Sequence, residues 1–367
     1  MRRDKVEQIL RNLSGPIVSV AVLLAYVVFA QIDPPPSQVL SQTRSRVHLA
    51  LQKADGPEII YFGSSTTREN DVRSSDKRSV ADFFAEHLGI PKKKVLLVSR
   101  QGGQPRLFEA TFNSLVDRPE LRGHLPRMLI VPIDMRAFSV TWAGNPRLQY
   151  AELVAALENH DTSYVDDMLH AAHLDPRPEV ARLFRLGPHR VRTLAGPPIP
   201  VYGRKRITYQ KYRLILTGLF TENGAPLAAI EPGTPRWHHK LETQFRAHYL
   251  NDISDRHPYL QALIRLGEKA RAHGVKVVYY VAPVNIEDLR RYTGEDAQRL
   301  EKNIHFVIDT LEHSGAKHVL DLSHLLPQSE FTDKQWSCDH LTPSGRSARA
   351  KGVADYVRSH GLLDKDR

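Results

Sequence analysis

Glu58-Ile59-Ile60-Tyr61-Phe62-Gly63-Ser64-Ser65-Thr66-Thr67 is the stretch whose reading decides the fold. The run from Ile59 to Phe62 is short, apolar, β-branched and aromatic, which fits a strand buried on both faces, as strands of parallel sheets are. It stops at Gly63 and passes into four hydroxyl side chains. A buried strand that runs into Gly-Ser-Ser and then a helix exposes a serine hydroxyl at its carboxyl end. The same geometry aims helix N-terminal amides at any anion that forms there. Serine and threonine are also ordinary helix N-caps, so the stretch alone fits either reading.

Working outward, strand and helix patterns alternate. Val80 to Leu88 has helical spacing, Val95 to Val98 is a second strand, residues 106–116 are helical, and Met128 to Ile133 is a third buried strand. After an interruption the rhythm returns. Tyr259 to His273 reads as an amphipathic helix closed by Gly274, Val275 to Val281 as a strand, and Glu295 to Ser314 as a helix closed by Gly315. Lys317 to Leu322 is a last strand, and Pro343 to His360 a terminal helix. Glycine directly after a helix suits a left-handed C-cap. Alternation of this kind specifies a parallel α/β sheet. Residues from about 145 to 255 break the rhythm and read as an inserted, largely helical cap, with Trp237, His238 and His239 in a polar stretch. Adjacent histidines without a spaced third ligand do not make a metal site, and no metal or other cofactor is expected.

The chain has 367 residues, 25% charged and 41% hydrophobic, which is globular composition. Its formal net charge is +10, but the basic residues are scattered, and no nucleic-acid-binding signature is present. The single cysteine, Cys338, rules out an intramolecular disulfide. At the N-terminus Arg2, Arg3, Lys5 and Arg11 precede an uncharged apolar run from Pro16 to Ile32. That length is at the lower edge of a membrane span. Positive charge before it predicts the N-terminus inside and the remainder outside. A signal peptide cut after Ala30 is the alternative; the run is long for one, which favours an uncleaved anchor. Asp33-Pro34-Pro35-Pro36 then makes a stiff spacer. The expected division is a cytoplasmic basic segment at 1–15, a transmembrane anchor at 16–32, a spacer with a polar approach helix at 33–55, and an α/β domain at 56–367.

Two further segments carry chemistry. Asp339-His340-Leu341-Thr342-Pro343-Ser344-Gly345 precedes the last helix and supplies a base beside an acid, the partners a hydroxyl nucleophile needs. Ser99-Arg100-Gln101-Gly102-Gly103-Gln104 follows the second strand, where glycines let the backbone approach a ligand. The order Ser, Gly, Asp-His, each placed after a strand or before the last helix, resembles the SGNH (GDSL-type) hydrolase superfamily. Phe62-Gly63-Ser64-Ser65 resembles its first block, Gly102 or Gly103 its second-block glycine, Met128 to Asp134 its third block, and Asp339 to Gly345 its last. The resemblance covers residues 57–140 and 275–360. The Gly-Ser-Ser variant and Gln101-Gly102-Gly103-Gln104 look like the envelope acyltransfer members, among them the teichoic acid D-alanyl transfer protein and alginate O-acetylation proteins.

This resemblance implies a three-layer α/β/α sandwich with a flavodoxin-like parallel sheet. It implies Ser65 as nucleophile, His340 as general base and Asp339 as the orienting acid. The oxyanion hole it implies is drawn from Ser65, Gly102, Gly103 and the position of Asp134. The implied activity is O-acylation of a cell-envelope glycopolymer on the periplasmic side of the cytoplasmic membrane, beside a membrane-bound O-acyltransferase. A plain esterase or deacetylase, or an inactive partner protein, are the alternatives. Two residues depart from the pattern. Asp134 stands where the family has an oxyanion-hole Asn, and an ionised carboxylate only accepts hydrogen bonds. Ser337 stands where the acid usually lies, three residues before His340. That leaves Asp339, Asp333 or a Ser-His dyad.

Overall fold

A computed structural model of the chain describes residues 46–53, 55–68, 76–99, 103–121, 123–139, 232–332, 337 and 339–363. Five strands, β1 (Ile59–Gly63), β2 (Val95–Ser99), β3 (Met128–Ile133), β4 (Lys276–Val281) and β5 (Val319–Asp321), form one sheet in the order β2-β1-β3-β4-β5. Every pairing is parallel. This is the flavodoxin-like strand order, whose direction of winding reverses between β1 and β3. Crevices for ligands in such sheets open at the carboxyl ends of the strands beside that reversal.

The helices are α1 (Val80–Leu88), α2 (Pro105–Val116), α3 (Pro235–Tyr249), α4 (Pro258–Ala272), α5 (Ile286–Thr293), α6 (Gln298–His313) and α7 (Pro343–Ser359). Alternate residues of each strand feed opposite faces. Ile60, Phe62, Leu129, Val131, Tyr279 and Val281 join a core shared with α2, α3, α4, α5 and α6. Ile59, Tyr61, Met128, Ile130, Val278 and Tyr280 join one shared with α1 and α7. Three layers follow from this period-two partition. β1 and β3 are buried at every position, the reason they read as unbroken apolar runs. Gly274 and Gly315 take positive φ, 70° and 90°, as their places after α4 and α6 require.

Three segments show detail that the sequence patterns left out. The polar stretch around Trp237, read as part of a largely helical insertion, is the first turn of α3, capped by the Thr234 hydroxyl, and Trp237 itself is buried in the core. A short helix, α5, stands where no element was expected, capped by Asn285, whose side chain accepts from the Asp288 amide at 3.1 Å. The helix expected from Glu295 opens instead as a 3-10 turn, Gly294–Ala297, before α6. Of the approach helix at 33–55, residues 46–51 are helical, and Val47 and Leu51 pack into the larger core. The expected anchor at 16–32 lies outside the described residues, as do residues 140–231 of the expected insertion. Among the described residues no helix is long and apolar enough to cross a membrane.

Candidate functional site

β1 ends at Gly63, and the chain turns at once into a 3-10 helix, Ser65–Thr67, with Ser64 as N-cap. The turn is tied at both ends. The Ser64 hydroxyl accepts from the Thr66 amide at 3.2 Å, and Thr67 Oγ1 accepts from the Ser64 amide at 3.0 Å. Thr67 packs so tightly on the strand end that a Cβ at position 63 would sit 2.1 Å from its hydroxyl oxygen. Glycine is required there for close approach. Thr66 and Thr67 are buried, while Ser65 between Ser64 and Thr66 keeps partial exposure.

His340 arrives from the far end of the chain on a segment held from both sides. Phe331 and Leu341 form an antiparallel bridge. The Thr332 amide donates to the His340 carbonyl at 2.8 Å, and the Thr342 amide to the Glu330 carbonyl at 2.9 Å. Thr342 then caps α7, its hydroxyl accepting from the Gly345 amide at 3.0 Å, and Pro343 takes the first helical position. One turn on, the buried Arg346 guanidinium donates to three carbonyls: Leu341 at 3.0 Å, Arg78 at 3.0 Å and Asp76 at 2.9 Å. The outcome is a fixed imidazole. His340 Nε2 lies 3.1 Å from Ser65 Oγ, between residues 275 apart in sequence. A base with an unprotonated nitrogen at this distance can take a hydroxyl proton as the oxygen attacks.

The acid beside His340 has a partner that sequence order did not announce. Tyr249, at the end of α3, donates its phenolic proton to Asp339 Oδ2. The same helix grips Ser337. The Gln244 side-chain oxygen accepts from the Ser337 amide at 3.2 Å, and His248 Nδ1 lies 2.6 Å from the Ser337 hydroxyl. Gln244 and His248 are four residues apart and so share a face of α3. Burial, reinforced by the nearby Arg136 cation, depresses the His248 pKa to about 3, so its imidazole is neutral. Asp333, the other candidate acid, lies outside the described residues.

Asp134 follows β3 and faces the Ser64–Thr67 turn. The Ser64 hydroxyl donates to its Oδ2 at 2.8 Å, and Arg349 Nη2 is 3.9 Å from its Oδ1. In this arrangement Asp134 is an acceptor and an ion-pair partner, not a donor to an oxyanion. Gly103 is buried just ahead of α2, and Gly102 lies outside the described residues. Among the described residues no group of three or more His, Cys, Asp and Glu side chains is placed to hold a metal ion.

Of the residues singled out in the sequence, the fold brings together Ser65 and His340, with Asp339 adjacent in sequence and Asp134 one hydrogen bond from Ser64. Sequence reading missed Gln244, His248, Tyr249 and Arg349. A signal existed for α3: Trp237, Leu241, Phe245 and Tyr249 recur every four residues, an amphipathic stripe hidden by a polar composition. None existed for Arg349, which is indistinguishable in sequence from the exposed basic residues of α7.

No protein-family model matches the chain, and no curated protein matches it in sequence. Among solved structures, the chain is similar to a mutant of an acetyl-xylooligosaccharide esterase from Geobacillus stearmophilus, at 10% identity and a TM-score of 0.37, over 82% of this chain and 94% of that one.

Proposed function

We propose that this domain performs serine-dependent acyl chemistry on an ester or thioester, with Ser65 as nucleophile and His340 as general base. The observation that carries the reading is the 3.1 Å approach of His340 Nε2 to Ser65 Oγ at the carboxyl edge of the sheet. Ser65 Oγ attacks the carbonyl carbon while its proton passes to His340 Nε2. The tetrahedral oxyanion is received by the backbone amides of Ser65 and of Gly102 or Gly103. Collapse expels the leaving group, which takes the proton from His340, and leaves an acyl-Ser65 ester. His340 then takes the proton of the acceptor hydroxyl as its oxygen attacks the acyl carbon, and collapse expels Ser65 Oγ, which receives that proton back from His340.

The acceptor decides between hydrolysis and transfer. The finer reading is transfer to a hydroxyl of a cell-envelope glycopolymer, outside the cytoplasmic membrane, beside a membrane-bound O-acyltransferase. It is supported by the sequence resemblance to envelope acyltransfer proteins and by the basic, apolar N-terminal segment. Esterase action on an acetylated glycan uses the same residues with water as acceptor.

The test is fluorophosphonate labelling of the full chain in detergent, followed by mass spectrometry of the labelled peptide. Labelling at Ser65, lost in Ser65→Ala and in His340→Ala, is the expected result. Wild-type labelling in Ser65→Ala overturns the assignment. Release of acyl groups from small aryl esters without an added acceptor separates hydrolysis from transfer.

A further inference from the structure

Arg349 is 1% exposed, a large cation enclosed between the sheet and α7. Its Nε and Nη2 donate to the Tyr280 hydroxyl at 3.1 and 2.7 Å, and Tyr61 donates to that same hydroxyl at 2.8 Å. Its Nη1 reaches Thr66 Oγ1 at 3.3 Å and the Thr66 carbonyl at 3.4 Å. A guanidinium only donates, so Thr66 Oγ1 accepts from it. The Thr66 proton is then directed to Ser64 Oγ, 2.9 Å away, and the Ser64 proton goes to Asp134 Oδ2 at 2.8 Å. Every donor in the chain Arg349, Thr66, Ser64, Asp134 therefore points the same way. The two hydroxyls in it flank Ser65 on either side, and the carboxylate at its end lies 3.9 Å from the cation at its start.

We propose that Arg349 is a positioning residue for Ser65: it sets the hydroxyl chain that fixes the nucleophile turn and counters the Asp134 charge beside the site. The inference rests on the roles given above to Ser65 and His340. Two needs meet in this one side chain. The turn needs its hydroxyls ordered, because a nucleophile displaced by about 1 Å loses on the order of 100-fold in rate. The site also needs Asp134 compensated, because an unopposed carboxylate there repels the oxyanion that forms when Ser65 attacks. Arg349 sits on the helix that opens three residues after His340, so α7 places the base and the nucleophile turn together.

Full-length Arg349→Met, Thr66→Val and the double variant Arg349→Met/Asp134→Asn are compared with the parent for fluorophosphonate labelling rate and p-nitrophenyl acetate turnover. Rates are normalised to folded protein measured by circular dichroism. Arg349→Met is expected to lower the labelling rate and kcat together by about 100-fold with KM little changed. Adding Asp134→Asn is expected to recover at least tenfold of that loss, because the uncompensated charge is gone. A purely structural cation would alter the melting temperature and leave the rate per folded molecule unchanged, and that result overturns the proposal. So does an unrestored rate in the double variant. Should Arg349→Met not fold, Thr66→Val cuts the chain at its first hydroxyl with little change of shape, and a parental rate there overturns the proposal equally. If the parent is not labelled at Ser65, or Ser65→Ala still reacts, the underlying reading has failed; loss in Ser65→Ala with full rate in Arg349→Met fails the positioning role alone.

Discussion

Tyr249 donates its phenolic proton to Asp339, the carboxylate adjacent to His340, from a helix 90 residues upstream. The segment carrying His340 is thereby held from three directions: by α3 through Asp339 and Ser337, by the Phe331–Leu341 bridge, and by Arg346 of α7. Each grip uses a different partner, so each is open to a separate test.

Removing the Tyr249 hydroxyl leaves a buried carboxylate, 8% exposed, short of a donor. Tyr249→Phe is expected to destabilise the domain by about 1–3 kcal/mol. It should lower the Ser65 labelling rate more than the rate in a control substitution of equal thermal cost in α1. Equal rates in the two variants would separate Tyr249 from the candidate site.

Gly63→Ala places a methyl carbon against Thr67, where the turn and strand are in closest contact. Overpacking of this kind costs about 1–3 kcal/mol, and here it breaks the bond between the Ser64 amide and Thr67 Oγ1. Thermal unfolding should show that loss, and Ser65 labelling should fall with it. A variant with parental melting temperature and parental labelling would show that Thr67 can move without consequence.

Arg346→Lys keeps the charge and loses the fork. A single ammonium cannot reach the carbonyls of Leu341, Arg78 and Asp76 together. The expected outcome is faster hydrogen exchange in residues 339–342 and reduced labelling, with secondary structure intact. Unchanged exchange there would assign the positioning of His340 to the bridge and to α3 alone.

Stability should fall with acid in a predictable window. Burial is the main cause that depresses His248 to about 3 and His257 to about 4, assisted by Arg136 and Arg106 respectively. The unfolded chain takes up protons on both near 6.5 while the native state refuses them, so the unfolded state binds more protons below that pH. Their contribution is complete above pH 6.5 and is lost as pH falls, at about 1.4 kcal/mol per pH unit for each histidine, until each folded pKa is passed. Urea unfolding from pH 7 to 4.5 measures the slope. His248→Gln should flatten it by about one proton; an unaltered slope would place that titration elsewhere.

Much of the fold was legible because parallel strands buried on both faces carry unbroken apolar runs, and β1 and β3 are of that kind, as is β4 from Val278 onward. The meeting of Ser65 and His340 was legible for a related reason: each follows a strand or precedes a helix whose ends the sequence marks, with Gly63 on one side and Thr342-Pro343 on the other. Long-range polar contacts were not. Asp339 was expected to serve His340 because the two are adjacent, but adjacency says nothing about the phenol that α3 delivers. Arg346 and Arg349 turn inward on a helix whose other buried residues include Ala350, Val353, Ala354 and Val357, and no periodicity separates a buried guanidinium from a solvated one. Asp134 looked like a defective oxyanion donor until Ser64 and Arg349 gave it partners.

The distance along the chain between Ser65 and His340 has a consequence in time. A ribosome adding about 5–20 residues per second takes roughly 15–55 seconds to make the 275 residues that separate them. Throughout that interval the strand carrying the serine exists without its base, and the serine is an ordinary alcohol. Contacts of such long sequence separation are also late to close, because the loop entropy is lost before the contact forms. On the roles proposed for Ser65 and His340, the nascent chain is chemically silent until α7 docks, and acyl donors it meets before then find only an ordinary alcohol.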